Sequence, residues 1–129
     1  MINKKELIRI FLLLWLIGAL LGFMLHLFFP YKISNLSFWN SSIGWQREIA
    51  LWNLGAIFMI VYTLIENNQS LKRFTITILL FLSFILGTNH IIEIMLNKKV
   101  ILINILGALV NYIIVIFGIF IVQLKDDKK

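Results

Sequence analysis

The sequence predicts an all-α protein, an integral membrane antiparallel four-helix bundle, and three observations carry that prediction. The chain of 129 residues is 60% hydrophobic and 14% charged, whereas water-soluble domains run nearer about 45–50% apolar and about 25% charged. Four apolar runs cover roughly residues 7–29, 47–65, 74–96 and 100–124, each close to the ~20 residues that a helix needs to cross about 30 Å of hydrocarbon. A single proline leaves those runs free of helix breakers. At this length the chain is one domain, residues 1–129.

The first run follows Lys4, Lys5 and Arg9, as the apolar stretch of a signal peptide would. It is too long for such a stretch, and no small-residue cleavage site follows Phe29, so it is read as a retained helix. The second has the shortest strictly apolar part, Ile49 to Ile65, and must take in Trp45, Gln46, Arg47 and Glu48 to reach the interface. Between these two runs lies a connection bearing Tyr31, Trp39 and Trp45, aromatics suited to the headgroup layer. A polar loop, Glu66 to Arg73, leads into the third run. Asn97 to Lys99 is short enough to make the third and fourth runs antiparallel neighbours. The tail after Leu124 is charged, and no internal repeat stands out.

Charge sets an orientation. Lys4, Lys5, Arg9, Lys72, Arg73, Lys125, Lys128 and Lys129 fall on one side of the threaded chain. Lys32, Arg47, Lys98 and Lys99 fall on the other. The positive-inside rule puts the richer side, with both termini, in the cytoplasm of a multi-pass plasma-membrane protein. The net charge of +6 does not point to nucleic acid, because these cations flank apolar runs instead of lining one face. With no cysteine, disulfides, thiolate metal sites and Cys nucleophiles are excluded. No hydrolase, P-loop or dinucleotide motif occurs either.

Polar side chains inside a span are costly, about 2.5–3.5 kcal/mol for a charge at the helix centre, so their depth is informative. Threaded in this orientation, His26, Gln46, Glu48, Asn53, Thr88, Asn89, His90, Glu93, Asn104 and Asn111 all fall in the outer half or at mid-span. The inner halves read as almost wholly aliphatic and aromatic. At about 100° per residue, Asn89, His90 and Glu93 share one arc of the third helix. Asn104 and Asn111, seven apart, nearly superimpose, with Gly107 and Ala108 beside them to admit a neighbouring helix. On the second helix Glu48 and Asn53 are about 140° apart. Trp45, Glu48, Trp52 and Gly55 make one stripe, and Gln46 and Asn53 another.

An outer-half polar pocket lined by Glu48, Asn53, Asn89, His90, Glu93 and Asn111 is therefore expected. His90 and Glu93, with Glu48, are the candidate metal ligands, since imidazole and carboxylates in a bundle core suit a mononuclear site. The competing expectation is an interhelical hydrogen-bond cluster. His26 and His90 lie at similar depth on the first and third helices, diagonal in an up-down bundle, as bis-histidine haem ligation requires. Glu48 near His90 would make a proton relay or hold a quinone-like head group; alternatively it pairs with Arg47 or Lys98 and caps its helix. Gly18-x-x-x-Gly22 is a close-packing face for the bundle or for a dimer.

The run Glu48-Ile-Ala-Leu-Trp-Asn53-Leu-Gly55, with Gly87-Thr-Asn-His90, resembles an uncharacterised bacterial family of small four-helix membrane proteins classed as a domain of unknown function. Its second helix carries E-x-G-x-x-N-L and its third G-x-x-H; here Ala50 stands at the glycine. The resemblance covers about the middle half of the chain. It implies the four-helix fold and that Glu48, Asn53 and His90 belong together, and it implies no activity or cofactor.

Three functions fit these features. One is a small-molecule, proton or ion site in the outer leaflet. A second is a structural or interaction protein whose partner is another membrane protein or a second copy. The third is a metal- or haem-dependent membrane oxidoreductase.

Overall fold

The computed structural model describes residues 3–35, 42–66, 68–97 and 102–124. They form five helices: α1 (Lys4–Phe28), α2 (Pro30–Asn35), α3 (Ile43–Ile65), α4 (Gln69–Asn97) and α5 (Leu102–Gln123). Apart from the six-residue α2, each is long and apolar enough to cross a membrane, so length and composition make this a multi-pass membrane protein.

Local chemistry sets where the helices start, and it moves several boundaries from their expected places. α1 begins three residues before the apolar run, because Asn3 and Glu6 form a capping box: Asn3 Oδ1 accepts from Glu6 N at 2.9 Å and Glu6 Oε2 from Asn3 N at 3.3 Å. α1 stops before Pro30, whose fixed φ and missing N–H suit the first position of a new helix, so the expected connection opens with α2. Lys32 lies over the Phe29 ring, 5.3 Å from its centroid. Ser42 caps α3, accepting from Trp45 N at 3.4 Å, which brings Trp45 to Glu48 into the helix. Asn68 accepts from Leu71 N at 3.1 Å, and α4 starts from there. Lys72 and Arg73 therefore sit on helix, not in a loop, and Lys72 is buried. Trp39, Lys98 and Lys99 of the expected hairpin, and the tail beyond Leu124 lie outside the described residues.

α1 packs along α3 and α4 along α5, and the two hairpins meet over smaller areas. The core lies toward the end where α1 and α4 begin. Ile8, Phe11, Leu12, Trp15, Ile60, Ile76, Leu79 and Ile121 are buried together there, and the Phe11 and Phe117 rings stand 6.0 Å apart. That half is less purely apolar than expected. Trp15 Nε1 donates to Ser83 Oγ at 3.1 Å near mid-span, and the buried Thr63 and Thr75 hydroxyls bond at 2.9 Å. Both bonds join one hairpin to the other. The outer surface is aliphatic and aromatic, with Trp52 81% and Ile65 77% exposed, a surface that lipid, not water, satisfies.

Candidate functional site

Two hydrogen-bonded pairs occupy the end where α1 and α4 finish and α3 and α5 begin. His26, in the last turn of α1, meets Gln46, one turn into α3, through Nδ1 and Oε1. His90 of α4 meets Asn104 of α5, Nδ1 to Oδ1, at 3.2 Å. An amide oxygen only accepts, so in these pairs each imidazole donates from Nδ1. Gln46 and Asn104 are each 1% exposed, and Gln46 Nε2 and Asn104 Nδ2 have no acceptor among the described residues. Leaving a buried donor unsatisfied costs about 1–3 kcal/mol.

Glycines admit these side chains. A Cβ on Gly107 would lie 2.6–2.7 Å from carbons of the His90 ring, so the imidazole lies on the α5 backbone. A Cβ on Gly22 would lie 2.9–3.0 Å from the Asn53 amide, and one on Gly87 3.1–3.2 Å from Tyr112 and Asn111. Gly18 has nothing near it, so only Gly22 of the Gly18-x-x-x-Gly22 pair packs within the bundle. Asn53 Nδ2 donates to Ile49 O at 2.9 Å and Asn111 Nδ2 to Gly107 O at 2.8 Å, each satisfying itself on its own helix. Beside Gly87, Thr88 Oγ1 and Tyr112 Oη bond at 3.0 Å, and Tyr112 stands edge-on to Phe84.

The expected lining residues thus divide. His90 and Asn111 lie between α4 and α5, and Asn53 lies between α3 and α1. Glu93 is half-buried on α4. Glu48 and Asn89 are exposed, Glu48 on a stripe with Trp45, Trp52 and Gly55 that is exposed throughout. Glu48, His90 and Glu93 do not converge; among the described residues no three His, Cys, Asp or Glu side chains come close enough to share a metal ion. His26 and His90 belong to different hairpins.

Three residues that complete the pairs, His26, Gln46 and Asn104, were not among the expected lining. Their signal is present in the sequence. Gln46 stands seven before Asn53 and Asn104 seven before Asn111, so each amide shares a helix face with an asparagine. A cavity of about 430 Å³ opens elsewhere, at the far end of the bundle, between Lys4, Ile8, Arg73, Ile76, Ile121 and Leu124. There Lys4 Nζ donates to Leu124 O, joining the start of α1 to the end of α5.

No family model matches the chain, and no curated protein or solved structure matches it.

Proposed function

We propose that this is a plasma-membrane protein with both termini cytoplasmic, and that the outer end of its bundle binds a small molecule through hydrogen-bond-accepting oxygen. The observation that carries this reading is the pair of orphaned amide donors, Gln46 Nε2 and Asn104 Nδ2, each buried beside an imidazole. Buried donors are nearly always satisfied, and an apolar bilayer offers few acceptors. A ligand carbonyl, hydroxyl or anionic oxygen supplies one. The family resemblance is kept as part of this proposal: Gly87 and His90, half of its pattern, both face α5.

The test is native mass spectrometry of the gently solubilised protein. A stoichiometric non-lipid adduct, lost on Asn104→Leu combined with Gln46→Met, is the expected result. A bare chain, or one carrying only mixed lipids, would count against ligand binding. Orientation has its own readout: a reporter fused after Lys129 is expected to behave as cytoplasmic, and an extracytoplasmic signal reverses the assignment.

A second reading has its own support in the close seat of His90 on Gly107. Under it, the imidazole–amide pairs fix helix register and the protein acts as a scaffold for another membrane protein or a second copy. Interhelical hydrogen bonds in membranes average about 0.6 kcal/mol. The same two substitutions would then change stability slightly and no bound mass at all.

A further inference from the structure

The two hairpins carry one pattern twice. The buried residues of α1 are Ile8, Phe11, Leu12, Trp15 and Ala19. A single constant shift along the sequence carries them onto Lys72, Thr75, Ile76, Leu79 and Ser83 of α4, each of them buried. The same shift carries His26 onto His90. In the second helix of each hairpin, another constant shift carries buried Gln46, Ala50, Ile60 and Thr63 of α3 onto buried Asn104, Ala108, Gly118 and Ile121 of α5. It also carries Asn53 onto Asn111, and Ile49, the acceptor of Asn53, onto Gly107, the acceptor of Asn111.

A buried stripe at helical spacing is common to packed helices and would align somewhere by periodicity alone. Periodicity does not explain why the alignment that superposes the stripes also superposes imidazole on imidazole, amide on amide and asparagine on asparagine. Nor does it explain the matching bonds: in both hairpins histidine Nδ1 meets the first amide, whose nitrogen is left over. A glycine packs on the asparagine in each hairpin as well, one position out of register: Gly22 on the Asn53 amide, and Gly87 on Asn111 Cβ and the Tyr112 ring. Residues bonded between the hairpins map onto buried ones: Thr63 and Thr75 onto Ile121 and Phe11 of the shared core, and Trp15 and Ser83 onto buried Leu79 and Ala19.

We infer that the chain is a tandem duplication of a two-helix unit, its halves related by a pseudo-twofold axis along the membrane normal. It therefore holds two equivalent imidazole–amide centres, His26–Gln46 and His90–Asn104, each taking one acceptor oxygen of a small molecule. Two helices per repeat return the chain to the side where it started, so the halves are parallel repeats and both centres fall at the same end. Sequence comparison of the halves misses the repeat because it survives as burial and polarity: Ile8 faces Lys72, and Phe11 faces Thr75, across the alignment. What each centre binds rests on the proposed small-molecule function; the twofold arrangement does not.

The experiment uses the full chain with isotopically labelled histidine in lipid nanodiscs, reading imidazole nitrogen signals by NMR. The probe is a tail-free ubiquinone analogue, whose ring carbonyls accept hydrogen bonds. Gln46→Met is expected to move the His26 signals alone, and Asn104→Leu the His90 signals alone. The quinone is expected to saturate at two per chain in the parent and one in either variant. Gln46→Asn, a shorter amide, gives the same local readout should the Met variant not fold. If either substitution moves both sets of signals equally, or the parent saturates at one quinone, the histidines serve one shared centre and the duplication reading fails. Selective responses with no quinone bound would uphold two centres and count against the small-molecule function alone.

Discussion

At Gly107 the missing side chain is what lets His90 reach α5 and bond Asn104. A methyl group there would have to displace a ring already fixed on its other side, and overpacking of this kind costs about 1–3 kcal/mol. Gly18, with nothing around it, is the control, since both changes gain the same helix propensity from alanine. Gly107→Ala is expected to lower stability to unfolding in mixed micelles, while Gly18→Ala leaves it unchanged or raises it. Equal stability of the two variants would mean that His90 does not depend on that seat. Residue spacing alone exposed part of this arrangement. Asn104 and Asn111 on one face, and Gln46 sharing a stripe with Asn53 apart from Glu48, follow from about 100° per residue. Which neighbouring helix meets each stripe does not follow, because azimuth is set by packing against partners distant in sequence. Spacing therefore gives the matched depth of His26 and His90 but not the contact of His26 with Gln46.

Among the elements, the four long helices were readable because a span of ~20 apolar residues has few other uses. Their ends were not read from hydropathy, and the reason is chemical. Asn3 with Glu6, Ser42 and Asn68 are polar residues that start helices by accepting backbone N–H groups, and a hydropathy window counts them as loop. Capping adds a turn or more to α4, which carries Lys72 onto a helical face among buried neighbours. Its long aliphatic stem suits a position among apolar neighbours. α2 escaped notice for the opposite reason: six residues are too few to show a period.

Across the described residues, the more extensive packing lies within each hairpin, and a shared apolar core together with hydroxyl and indole bonds joins the hairpins. Thr63 and Thr75 are fully buried and bonded across that seam. A double-mutant cycle with Thr63→Val and Thr75→Val is expected to give a coupling of about 0.6 kcal/mol, the average for interhelical hydrogen bonds in a membrane. Zero coupling would assign the seam to apolar packing alone.

The pairing of α1 with α3 also sets an order of events during synthesis. By the time Ile65 is added, the ribosome has already made Gly22, His26, Gln46 and Asn53, so the first hairpin holds its own polar partners before α4 exists. Thr63 waits at little cost, because its hydroxyl already bonds Met59 O at 2.8 Å. Trp15 waits for Ser83. Chain order thus makes the polar partners of the first hairpin available before those that join it to the second.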